Sequence, residues 1–135
     1  MNYATDFGYA VLDDPTEYLN RLTRAAEGAT LAATDLETTG MDPHGELRWN
    51  GELRHAFIVS ISVTVHSPAG EWTGVLPYPE QEALVRIMEA LDRIPTVVAH
   101  NALYEVQWLQ AVTGRFPRVT DDTLLMARCW RGAAH

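Results

Sequence analysis

A chain of 135 residues, 47% hydrophobic and 21% charged, is of the size at which one domain buries a core of its own, so a single domain over 1–135 is expected. It lacks the roughly 18 consecutive apolar residues of a membrane span and a basic-then-apolar leader, so a cytoplasmic protein with no membrane partner is expected. A formal net charge of -8, with all ten basic residues arginine, argues against a protein that grips nucleic acid through a broad positive surface.

The first expected element is a helix over 15–27. Pro15 stands in its first turn, Tyr18, Leu19, Leu22 and Ala25 recur at helical spacing, and Gly28 follows as a stop. Leu31 to Thr38 is short, apolar at its start and free of Pro and Gly, which predicts a strand ending at Gly40. The polar connection over 41–56 contains Gly-Glu-Leu-Arg twice, at 45–48 and 51–54, around Trp49-Asn50. Asn50-Gly51 is a hairpin-turn signal, so this segment reads either as a small β extension or as a chance likeness of short words.

Phe57 to His66 alternates Val and Ile with Ser and Thr, and Glu71 to Pro77 follows the turn Ser67-Pro68-Ala69-Gly70, which together predict a hairpin. From Glu80 to Ile94 the apolar residues Ala83, Leu84, Ile87, Met88 and Leu91 share one helix face, and Pro95 ends it. A short buried strand over Thr96–Ala99 leads to a helix from about Ala102 to Thr113, closed by Gly114. Phe116 to Thr120 reads as one more edge strand, with Asp121 or Asp122 capping a final helix through Trp130. Arg115, Arg118, Arg128 and Arg131 give that end a modest basic edge, more simply a solvated surface. Cys129, the only cysteine, permits no intramolecular disulfide and no cysteine-based zinc site, and reads as a small helical residue. The sum is an α/β fold with a mixed five-stranded sheet flanked by helices, 1–29 forming a leading segment and 30–135 the core.

Two segments carry chemistry. Side chains two apart on a strand project to one face, so Asp35 and Glu37 point the same way with backbones about 6.6 Å apart. On a buried strand, two like charges need a cation between them or a shared proton. Their hard oxygens favour Mg²⁺ or Mn²⁺, and cations held in this way neutralise phosphate even in an acidic protein. A bare Asp-x-Glu reads equally as a strand end reaching water. The second segment runs from Val97 through His100-Asn101 to Glu105. At roughly 100° per residue, Glu105 falls near the middle of the arc formed by Tyr104, Trp108, Val112, Leu109 and Val106, with Gln107 and Gln110 opposite. A buried ionised glutamate needs a partner or a metal. Complementing the helix dipole is its plainer role, and Asn101 reads most simply as the helix N-cap.

In order, Asp35-Leu36-Glu37-Thr38-Thr39-Gly40, His100-Asn101-Ala102-Leu103-Tyr104-Glu105 and Asp122-Thr123-Leu124-Leu125-Met126-Ala127-Arg128 resemble the motifs of the DnaQ-like or DEDD 3′-to-5′ exonucleases. That family includes the proofreading domains of family A DNA polymerases and has a ribonuclease H-like fold; the likeness covers roughly residues 30 to 130. It implies a two-metal site for Mg²⁺ or Mn²⁺ in which Asp35 ligates both ions, Glu37 one, and Glu105 stands where the family has Asp. It implies further that Leu36, Thr38, Thr39, Asn101 and Tyr104 lie at the terminal nucleotide. The expected reaction is hydrolysis of the last phosphodiester at a single-stranded DNA 3′ end, with RNA as the alternative substrate. The implied partner is a polymerase domain or other replication protein of a bacterium or phage.

The chain departs from the family at Glu105, one methylene longer than Asp, and at the third motif, a Tyr or His four residues before an Asp on a further helix. That helix is expected to be missing and the metal site incomplete. The only Tyr-x-x-x-Asp runs from Tyr9 to Asp13, ahead of the first helix. Asp122 is a candidate substitute, although the family commonly uses the Asp122-Thr123 pair structurally. A catalytically incomplete module that binds nucleic-acid ends or a partner protein is therefore the contrasting reading.

Overall fold

The computed structural model describes residues 10–133, so Tyr9 and the pattern built on it lie outside the described residues. Helix α1 (Pro15–Ala26) starts where Asp14 accepts a hydrogen bond from the Thr16 amide at 3.0 Å. Proline suits such a first turn because its fixed φ is already helical and its missing N–H is not needed there. The helix gives way to Gly28 at φ 67°. Its buried Tyr18 donates a hydrogen bond to the Gly74 carbonyl at 3.0 Å, tying helix to sheet. Only glycine fits at 74, since a Cβ there would lie 2.3 Å from the Trp72 ring and 2.9 Å from that of Tyr18.

The strands are β1 (Ala10–Val11), β2 (Leu31–Thr38), β3 (Glu46–Trp49), β4 (Glu52–His55), β5 (Ile58–Ser67), β6 (Gly70–Pro77), β7 (Thr96–Ala99) and β8 (Asp121–Asp122). Six form one sheet in the order β1-β6-β5-β2-β7-β8. The β2–β5 and β5–β6 pairs are antiparallel; β1–β6, β2–β7 and β7–β8 are parallel. The sheet is mixed as expected, but it has six strands rather than five, because two-residue β1 adds to the β6 edge.

The strand expected over Phe116–Thr120 does not form. Pro117 has no N–H for a ladder, and Arg118 holds the segment by donating to the carbonyls of Ile94 and Pro95 at 2.6 and 2.9 Å. Pairing begins only at Asp121, opposite Val98. The 41–56 connection does fold as a separate β3–β4 hairpin. Asn50 and Gly51 take φ 52° and 82°, the two positive values that a tight hairpin turn requires.

Helix α2 (Gln81–Leu91) buries the five apolar residues its spacing singled out. Helix α3 (Ala102–Thr113) ends at Gly114, φ 75°, and α4 (Thr123–Ala133) runs past Trp130. One core joins Tyr18 and Leu22 of α1, Leu84 and Ile87 of α2, and Trp108 and Leu109 of α3 to Ala32, Leu36, Val63, Val65, Leu76 and Val97 of the sheet. Thus α1, α2 and α3 cover one face. The other carries the exposed side chains of Leu31, Ala33, Asp35 and Glu37. No described helix is long and apolar enough to cross a membrane.

Candidate active site

Central strand β2 alternates exposed and buried residues without a break from Leu31 to Glu37. Asp35 and Glu37 therefore stand side by side on the open face, in register with Ser62 and Ser60 of β5. Both carboxylates are exposed. The face is solvated rather than buried, which corrects the expectation that the pair needs a cation or shared proton merely to coexist: water screens it. Leu36 points the other way and is 4% exposed. Its side chain belongs to the core, not to the acidic face.

Just beyond, the Thr38 hydroxyl donates to the Gly40 carbonyl at 2.8 Å and meets the Tyr104 hydroxyl, which leaves Tyr104 as donor in that bond. This contact joins the first motif to the second. Thr39 clamps the next strand: its amide donates to the Phe57 carbonyl and its Oγ1 accepts from the Phe57 amide, at 3.1 and 3.0 Å.

At the start of α3, Asn101 takes the left-handed conformation, φ 63° and ψ 66°, and its side chain makes no capping bond. The expected N-cap role passes to Asp122. Its Oδ1 accepts from the amides of Asn101 and Leu124 and its Oδ2 from that of Ala102, each at 2.9 Å. Desolvation pulls the Asp122 pKa upward, but the amides of Ala102, Leu124, Asn101 and Leu125 outweigh it and hold the group below the ordinary aspartate range. Asp122 is thus a clasp between two helix starts. Of the four arginines near this end, Arg118 is used structurally and Arg115 pairs with Glu89 at 3.3 Å, while Arg128 and Arg131 are exposed on α4.

Glu105 is fully buried, and neither carboxylate oxygen has a hydrogen-bond partner. Burial, followed by the charges of Asp35 and Asp122, pushes its pKa up to about 8, which favours the protonated form at neutral pH. The central position on the apolar arc is as expected. Yet no three His, Cys, Asp or Glu side chains among the described residues are grouped to hold a metal ion. Asp35 and Glu37 face solvent, while Glu105 lies inside beside Trp108. The donor chemistry still suits a hard divalent cation, since all three are carboxylates and the oxygens of Glu105 are unclaimed.

No family model and no curated protein matches the sequence. The order and directions of the strands, with α3 following β7 and α4 following β8, give a ribonuclease H-like fold that solved nuclease structures share. Three solved structures make the comparison concrete. Trypanosoma brucei RNase D in complex with RNA U12 superposes with a TM-score of 0.57 at 19% identity, covering 84% of this chain and 37% of that one. Brucella melitensis NrnC gives 0.56 at 18% identity, covering 93% and 52%. The catalytic core of RRP6 from T. brucei, mutant C496S, gives 0.54 at 16% identity, covering 84% and 28%. This chain accordingly spans from 28% to 52% of the lengths of these structures.

Proposed function

We propose that this chain supplies the core of a metal-dependent 3′-to-5′ exonuclease domain that hydrolyses the terminal phosphodiester of single-stranded DNA. The observation that carries the reading is the carboxylate arrangement: Asp35 and Glu37 adjacent on the open face of the central strand, with Glu105 buried nearby and both its oxygens unclaimed. Mg²⁺ or Mn²⁺ would be held by Asp35 and Glu37, with Glu105 as the third carboxylate. Such ions supply charge neutralisation at the phosphate and an activated water. The structure of NrnC with bound Mg²⁺, at 20% identity and a TM-score of 0.53, supports the choice of metal.

The chain's own residues bind and orient. Thr38, fixed by Tyr104 and Gly40, forms a rigid wall at the end of β2 against which the terminal nucleotide is positioned. Thr39 holds that wall to β5 through Phe57. Asn101, strained into the left-handed region at the mouth of α3, presents its uncommitted side-chain amide to the same nucleotide. Leu36 acts from within the core by fixing the strand that bears the two acids. A second reading, an exoribonuclease, is favoured by T. brucei RNase D having been solved with RNA U12. Proofreading beside a polymerase in a bacterium or phage rests on the motif resemblance.

Incubating the protein and its Asp35→Ala variant with 5′-labelled DNA and RNA in Mn²⁺ tests this. We expect stepwise shortening from the 3′ end and a loss of roughly 10³-fold in the variant. Internal cutting, or equal activity of both proteins, rejects the reading. Inertness of both with retained end binding favours the non-catalytic module.

A further inference from the structure

Just past the carboxyl end of β2, tied to it through Thr39, lies a group of aromatic side chains that neither the proposed chemistry nor the core accounts for. Trp49, on the β3–β4 arm, meets Phe57 edge to face at 5.2 Å and 87°. Phe57 lies 6.3 Å from Tyr78, tilted by 42°. The Arg54 guanidinium stands over the Phe57 ring at 4.7 Å. Register places Leu47 and Trp49 on the same face of the arm as Arg54 and Glu52. Arg54, Phe57, Tyr78, Pro79 and Val112 border a cleft of about 350 Å³, at the small end of the range for ligand sites.

Tyr78 is the telling residue. It is 59% exposed, so packing gives little reason for its ring. It adopts φ 46° immediately before Pro79, a conformation costly for a bulky residue. The bond from its amide to the Val59 carbonyl, at 2.7 Å, holds it there. The result is an aromatic ring presented to solvent at a strained position. Its neighbour Phe57 is bonded twice to Thr39, two residues from Glu37, so the cluster has a rigid link to the proposed catalytic strand.

We propose that this cluster is a stacking ledge for single-stranded nucleic acid, with the base of a nucleotide upstream of the penultimate one lying on Tyr78 and Arg54 placed to meet that base or its phosphate, so that a dinucleotide does not reach the ledge. The inference rests on the exonuclease reading and adds where the rest of the strand is held. A chain of net charge -8 holds polyanions poorly by charge alone. Stacking on aromatic faces does not depend on net charge and tolerates any base. On the outer face of the arm Arg48 is exposed beside Glu46, Leu53 and His55, so that face carries no net positive charge and the hold on the strand falls to stacking and to Arg54.

The test uses Tyr78→Leu, with Tyr78→Phe as the conservative control. Binding is read without metal, by anisotropy of a labelled oligonucleotide of about 12 residues, and hydrolysis is read in Mn²⁺ on that oligonucleotide and on a dinucleotide. Tyr78→Leu should raise Kd and KM for the oligonucleotide about ten-fold, leave dinucleotide hydrolysis unchanged, and be rescued by Tyr78→Phe. Unchanged oligonucleotide binding in Tyr78→Leu overturns the ledge while Asp35-dependent hydrolysis still upholds the exonuclease. Conversely, if no form hydrolyses anything but the Tyr78→Leu binding loss persists, the ledge stands and the exonuclease reading fails. Absence of any oligonucleotide binding by the parent protein overturns the ledge in favour of a protein-facing patch. A parallel fall in dinucleotide hydrolysis, or failure of Tyr78→Phe to rescue, assigns Tyr78 to structure and also overturns it.

Discussion

A carboxyl group packed into an apolar helix face with no hydrogen-bond partner keeps its proton, and Glu105 is in that position. Because its pKa rises from 4.5 to about 8, the folded chain binds more protons than the unfolded one between those values. Its contribution to stability is fully present below about pH 4.5 and is lost as pH rises through about 8. Urea midpoints should therefore fall across this window, with a slope approaching roughly 1.4 kcal/mol per pH unit from this one group. Glu105→Gln, which keeps the shape and removes the titration, should flatten that slope; an unaltered slope in the variant would show that other groups cause it. Helical spacing alone placed Glu105 on the buried arc. The same kind of reasoning, applied to the period of β2, turns Leu36 away from the acidic face, and here strand geometry overrides the substrate contact that resemblance implied.

Elements meet at Asp122. One carboxylate bonds the first amides of α3, across 20 and 21 residues, and an amide in the first turn of α4. It thereby fixes where Glu105 and Tyr104 emerge relative to β2. Asp122→Ala should remove both caps and lower the urea midpoint more than an ordinary surface substitution would. Asp122→Asn, which retains an acceptor, should be milder. If the alanine variant matches the parent in both midpoint and near-ultraviolet circular dichroism, the clasp has no energetic role. Local signals were enough to place β2, β7 and α3, whose observed bounds coincide with those expected from turn residues and periodicity. They failed over Phe116–Thr120, where Arg118 binds carbonyls more than 20 residues away.

For the molecule as a whole, the sheet is covered by α1, α2 and α3 on one face and bears Asp35 and Glu37 on the other. A cation that binds only the folded chain through those carboxylates must stabilise it, by about 2.7 kcal/mol at a concentration a hundred-fold above Kd. Thermal unfolding with and without Mn²⁺ should show a raised Tm in the parent protein and little change in Asp35→Ala. An equal rise in both would place any bound metal elsewhere. The chain spans no more than 52% of the length of these three solved structures.

The amino-acid sequence by itself determined β2, β7 and α3, the shared side of Asp35 and Glu37 and the burial of Glu105, and offered the β3–β4 hairpin as one of two readings, because each follows from a repeat of two or 3.6 residues or from a turn's need for positive φ. Only the tertiary structure decided that the acidic pair faces water, that Asp122 rather than Asn101 caps α3, and that Trp49, Phe57 and Tyr78 gather next to Thr39 at the end of β2. Those facts depend on which distant segments share a sheet edge or compete for the same amide, and no local pattern carries that information.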